Sequence, residues 1–232
     1  MVISDILNSK GERSANWFIQ QFLKISAILT EGDDDVVLIW DADTIPMKDL
    51  SFISDDGVLS CYKSTEYHQD YFITLREILG IERLAQFSFI AQCLPVYAKW
   101  VKEMIIDIEK SAQGKWMETI CNVVTGPTSQ FSEYETIGNY AQARYPEELA
   151  FNDKPWFRNA AIGLRKDVTI EKLEKLFSTY DFISLEKGQF TKSIFEIWYK
   201  KTRRDVRKIR DRLMLILKKK NPGFGGRDTQ YE

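Results

Sequence analysis

Two aspartates one position apart, Asp41 and Asp43, follow directly on the apolar run Val36-Val37-Leu38-Ile39-Trp40. In extended backbone, side chains two positions apart point the same way, so both carboxylates can converge on one cation. Hard oxygen donors of this kind suit Mg2+ or Mn2+, which keep coordination positions for water and for substrate phosphates. A cation held there neutralises a diphosphate as it departs. A plainer role also fits, because Asp and Thr ahead of a proline, here Pro46, often end a strand with side-chain-to-backbone bonds. His68 is the only histidine and no Cys-x-x-Cys pair occurs. Multi-histidine zinc chemistry is therefore excluded, and any catalytic metal rests mainly on oxygen.

A second acidic pair lies in Ser132-Glu133-Tyr134-Glu135. Either carboxylate could take a proton from an attacking hydroxyl. Ser132-x-x-Glu135 has capping-box spacing, which would commit Glu135 to backbone amides. Glu133 is then the candidate base, the alternative being a residue placed in the first turn for the helix dipole. Tyr134, Glu135 and Asn139 either line an acceptor site or pack. Gln20, Gln21 and Lys24 share a helix whose packing side carries Trp17 and Phe22. That polar face either meets a nucleotide phosphate or simply faces water, and Trp40, beside Asp41, is grouped with it on the donor side. His68, in Tyr67-His68-Gln69, reads as an acceptor contact or as a hydrogen-bonded loop residue.

These residues need elements to hold them. Phe18, Phe22, Ile25 and Leu29 recur at helical spacing in residues 13–29, and an acidic loop, Gly32-Asp33-Asp34-Asp35, follows. Val36–Trp40 is β-rich and wholly apolar, which predicts a strand buried on both faces in a sheet covered by helices. Weaker strand signals cover 57–62 and 87–92. Val96, Trp100, Val101, Met104, Ile105 and Ile108 form one helical stripe, 116–124 a second helix, and Ser132 opens a third. Asp167 or Thr169 would cap another, with Ile170, Leu173, Leu176 and Phe177 facing inward. Strands mixed with helices give an α/β class.

The 232 residues, 44% apolar and 13% aromatic, suffice for a substantial core. The longest apolar runs, 36–40 and 213–217, fall far short of the roughly 20 residues a spanning helix needs. Residues 1–10 lack the basic leader and apolar stretch of a signal peptide. Three scattered cysteines, Cys61, Cys93 and Cys121, fit reduced thiols in a cytoplasmic setting. The net charge of −2 hides segregation: residues 200–220 hold eleven Lys or Arg against Asp205 and Asp211, so +9 there leaves −11 elsewhere. Phe195, Trp198, Thr202, Val206, Ile209, Leu213 and Ile216 give that segment a helical apolar stripe. The expectation is two parts, a domain over 1–188 and a basic amphipathic helix and tail over 189–232. The helix is either solvated or rests on an anionic membrane surface through 190–220, each basic residue contributing about 1 kcal/mol. No nucleic-acid motif with interleaved aromatics is present.

Two enzyme classes place Asp-x-Asp at a strand end. Haloacid-dehalogenase-type phosphatases use Asp-x-Asp-x-Thr, but here Thr44 comes one place early, Ile45 holds the hydroxyl position, and no Gly-Asp-x-x-x-Asp follows. GT-A-type glycosyltransferases show an apolar run followed by Asp-x-Asp, as this chain does. Four blocks occur in order: 16–24 (Asn-Trp-Phe-Ile-Gln-Gln-Phe-Leu-Lys), 40–46 (Trp-Asp-Ala-Asp-Thr-Ile-Pro), Ser88-Phe89-Ile90, and 131–140 (Phe-Ser-Glu-Tyr-Glu-Thr-Ile-Gly-Asn-Tyr). Over about residues 11–146 the chain thus resembles bacterial GT-A-type glycosyltransferase-like proteins.

The resemblance implies a Rossmann-related mixed sheet flanked by helices. It also implies metal-dependent transfer from a nucleotide sugar to a glycan or lipid-linked acceptor, at the inner face of the membrane or in the cytoplasm. Each strand–helix–strand unit takes about 30 residues or more, and 40 residues precede Asp41. The expectation is therefore a domain short of part of its N-terminal nucleoside-binding half. Lys154-Pro155-Trp156 resembles the end of a diphosphate-binding segment in some retaining transferases, without the histidine and glycine that precede it there. A glycan- or membrane-binding protein without catalysis and a phosphohydrolase are the rival readings.

Overall fold

The computed structural model describes residues 12–124, 130–162, 164 and 168–186. It is a mixed α/β fold in which small sheets are flanked by helices. The elements run α1 (Glu12–Ile28), β1 (Val36–Trp40), β2 (Thr44–Pro46), β3 (Leu59–Tyr62), α2 (Gln69–Leu79), β4 (Cys93–Tyr97), α3 (Ala98–Ala112), α4 (Trp116–Val123), α5 (Glu133–Arg144), β5 (Leu149–Asn152), α6 (Ile170–Phe177) and β6 (Phe182–Ser184). Among them no helix is long and apolar enough to cross a membrane. The basic segment over 189–232 and Asp167 lie outside the described residues.

β1 pairs antiparallel with β4, from Val36 opposite Tyr97 to Trp40 opposite Cys93. β3 lies beside β4 and pairs in parallel with β5, while β2 pairs antiparallel with β6. The main core gathers α1, α3, α4 and α5 around Phe18, Phe22, Trp100, Met104, Ile120 and Phe131. The spacing in α1 is realised, with Phe18, Phe22 and Ile25 buried and Leu29 half-buried just past the helix end. All three cysteines are buried free thiols.

Several expectations are corrected. β1 is not covered on both faces: Ile39 is buried, but Val36 and Leu38 on the opposite side of the pleat are 38% and 40% exposed. An apolar run lacks the alternation that would have shown this, because both faces read alike. Residues 87–92 form no strand; the strand begins at Cys93 and carries Pro95 inside it, a residue that reads as a strand breaker. Val96 therefore belongs to β4 rather than to the helical stripe of α3. Thr169 caps α6, its hydroxyl accepting from the Lys172 amide, but only Leu173 is buried there. Ile170 and Leu176 are 67% and 52% exposed, since α6 meets the rest of the protein along a single narrow line.

Candidate functional site

Asp41 stands at the end of β1, its amide donating to the Gln92 carbonyl at 3.0 Å. The chain then turns, the Thr44 amide reaching the Asp41 carbonyl, and enters β2. Pairing of β2 with β6 fixes the next carboxylate, because the Leu185 amide donates to the Asp43 carbonyl at 2.8 Å. Gln92 is buried with φ of +66°, a left-handed conformation a non-glycine residue holds only where surrounding structure imposes it.

α1 and α5 bring the remaining charges. The Lys24 ammonium donates to Asp41 Oδ1 at 2.6 Å and to Glu133 Oε1 at 2.7 Å. The Tyr134 hydroxyl donates to the same Asp41 oxygen at 3.0 Å, and Lys24 lies 4.8 Å from the Tyr134 ring centroid. At the start of α5, Ser132 caps through its hydroxyl, which accepts from the Glu135 amide. The Glu133 amide donates to Gln21 Oε1 at 2.9 Å, so a side chain of α1 caps α5. Orphan amides at a helix start need such acceptors when buried.

These side chains face one cleft of about 500 Å³. Gln20, Gln21, Lys24, Asp41, Asp43, Glu133 and Tyr134, drawn from three separate stretches of sequence, all line it. Arg158 and Glu186 line it too, Arg158 Nε donating to Glu186 Oε1 at 3.1 Å and its NH1 pairing with Glu66. No local pattern marks Arg158, Glu186, Glu66 or Gln92; pairing of strands distant in sequence supplies them.

Other candidates lie elsewhere. Trp40 donates its indole N–H to the Thr44 carbonyl and packs on Phe52 and Phe182. Glu135 is buried beside Ser88 and Arg83 instead of reaching back to the helix start. Asn139 is fully buried, donating to Glu135 Oε2 and accepting from the Leu84 amide. Both tie α5 to the loop before β4, because the side of the helix they occupy faces protein rather than the cleft. His68 is exposed and sits 2.9 Å from Glu66. Lys154 is exposed, while Trp156 stacks on Phe182.

Burial pushes the Glu133 carboxyl above its ordinary value, with Lys24 pulling the other way. Burial pulls Lys24 down, but Glu133 and Asp41 outweigh it and hold the ammonium above its ordinary value. Burial raises Asp43, and the like charge of Asp41 adds to it. Such opposed perturbations crowd into clefts where protons or ions are handled. Among the described residues no group of three His, Cys, Asp or Glu is arranged to hold a metal. A divalent cation here would rest on Asp41 and Asp43 and take its other oxygens from water and phosphate, a set that Mg2+ accepts.

Residues 3–151 match the profile described as Family of unknown function (DUF6492). No curated protein matches the chain. The matched stretch carries Lys24, Asp41, Asp43 and Glu133 and ends before Arg158 and Glu186. Spanning more than half of the sequence, this match makes the protein a member of the Family of unknown function (DUF6492).

Proposed function

We propose that the protein is a GT-A-like, metal-dependent glycosyltransferase that takes a nucleotide-sugar donor and a glycan or lipid-linked acceptor. The observation that carries this reading is the convergence of Asp41, Asp43, Lys24 and Glu133 on one cleft large enough for a nucleotide sugar. Asp41 and Asp43 would hold Mn2+ or Mg2+, which supplies positive charge to the departing diphosphate. Lys24, hydrogen-bonded to Asp41, keeps a second positive charge at the same wall. An acceptor hydroxyl oxygen bonds to the anomeric carbon while the bond from that carbon to the diphosphate oxygen breaks. The electron pair leaves on the nucleoside diphosphate, and the hydroxyl proton passes to Glu133. The raised position of the Glu133 carboxyl improves it as a base, since proton affinity grows with pKa.

The phosphohydrolase reading lacks its hydroxyl. Thr44 is buried and Ile45 packs against the apolar cluster of β6, so neither lines the cleft. Anionic-surface attachment through 190–220 remains part of the proposal on charge alone. Titration calorimetry with uridine and guanosine diphosphates, with and without Mn2+, tests the site. Wild type is expected to bind one of them only with the metal, and Asp41→Asn and Asp43→Asn are each expected to weaken it at least tenfold. Equal affinity in wild type and both variants overturns the assignment.

A further inference from the structure

Beyond the Glu66–Arg158 ion pair a second cleft opens, of about 560 Å³, between 63–66 and 156–159. Glu66 and Arg158 line both clefts, so this ion pair stands where the two adjoin. One wall is made of the short polar side chains Ser64 and Thr65. The other carries Trp156, Phe157 and Asn159.

The two rings are held rigidly. Trp156 stacks on Phe182 with centroids 5.3 Å apart, and its indole N–H donates to the Lys63 carbonyl at 2.9 Å. Phe157 stacks on Tyr180 and Phe177 at 5.2 and 5.9 Å and remains 36% exposed. β6 fixes the backbone beneath them, Phe157 bridging Ile183 and Asn159 bridging Leu185. Aromatic side chains pre-ordered in this way contribute contact area at little entropic cost. The exposed part of Phe157 beside the exposed Thr65 hydroxyl matches a pyranose, which has apolar C–H faces and an equatorial fringe of hydroxyls.

Charge narrows the ligand further. Lys63 is paired with Asp153, and Arg158 with Glu66 and Glu186, so the cleft presents no uncompensated positive charge for a phosphate, a nucleic acid or an acidic headgroup. We infer that the second cleft binds a neutral oligosaccharide, whose terminal residue reaches across Arg158 into the first cleft. As the acceptor subsite of the proposed transferase it rests on that reading, while the sugar-binding claim stands on its own geometry.

Saturation-transfer NMR on the full chain with methyl glycosides of maltose, cellobiose, lactose and chitobiose tests it. At least one is expected to receive saturation. That signal should fall at least fivefold in Phe157→Ala with Asn159→Ala, and in Thr65→Trp, which fills the cleft from an exposed position without touching the core. No saturation of any glycoside, or equal saturation in wild type and Thr65→Trp, overturns the inference. Mn2+-dependent nucleoside diphosphate binding, measured on the same samples, separates the two readings. Nucleotide bound without sugar removes the second cleft and keeps the transferase; sugar bound without nucleotide keeps the glycan site and removes the transferase.

Discussion

The Lys24 ammonium lies 2.7 Å from Glu133 Oε1, joining residues 109 positions apart in sequence. Glu133 is 3% exposed, so this contact supplies the positive charge that a buried carboxylate requires. Lys24→Met should therefore move the acidic limb of the kcat/KM profile up by about 1 to 3 pH units, the range expected on losing an adjacent opposite charge. The pH dependence of the proposed sugar transfer measures it, and an unmoved limb separates Glu133 from proton transfer.

Stability should carry the same signature. Folding holds the Glu133 carboxyl above its ordinary 4.5, so the folded protein keeps a proton that the unfolded chain has lost. Its contribution to stability therefore declines as pH rises through the window that opens near that value. Glu133→Gln removes the titration. Thermal unfolding of both proteins at stepped pH should show a wild-type decline across this window that is shallower in the variant.

Tyr62 donates its hydroxyl to Asp181 Oδ2 at 2.6 Å, and Lys48 holds the other oxygen at 3.1 Å. Asp181 is 4% exposed, so Tyr62→Phe leaves a buried carboxylate oxygen without this donor. The expected cost is about 1–3 kcal/mol. It should appear in urea titration as a lower midpoint with an unchanged slope.

Gly138 admits the Phe89 ring against α5: a Cβ at that position would come within 2.2 Å of it. Alanine is the better helix former by about 1 kcal/mol, yet overpacking a core costs typically about 1–3 kcal/mol. Gly138→Ala is expected to lower the midpoint of thermal unfolding, and a raised one would show that Phe89 relocates freely.

Cys61, Cys93 and Cys121 should resist a thiol reagent in the folded protein. All are buried, and burial pushes the Cys61 thiol up to about 12. Reaction with Ellman's reagent at pH 8 is expected to be slow for all three and complete in urea.

Local patterns carried the helices α1, α3, α4 and α5, the strand β1 and the cap at Ser132. In each, the periodicity or spacing lies within a dozen or so residues. The Asp41–Asp43 pair stood out by its place after β1, although the chain turns there instead of running extended, the Thr44 amide reaching the Asp41 carbonyl. α2 was legible in principle, since Tyr71, Phe72, Leu75 and Ile78 have helical spacing and are all buried. β4 was obscured by Pro95, and β2, β5 and β6 are three- or four-residue segments too short for any period to emerge.

Tertiary structure alone decided which polar residues share the cleft. On α5 the sequence marked Glu133 as the candidate base and Tyr134, Glu135 and Asn139 as acceptor-side candidates; packing sent the first two to Lys24 and Asp41 and buried the others against residues 83–89. Arg158 and Glu186 reach Asp43 only because β2 pairs with β6. The choice of partner for a three-residue strand depends on the burial of the whole chain rather than on its own side chains, which is why no local reading could have placed those two residues.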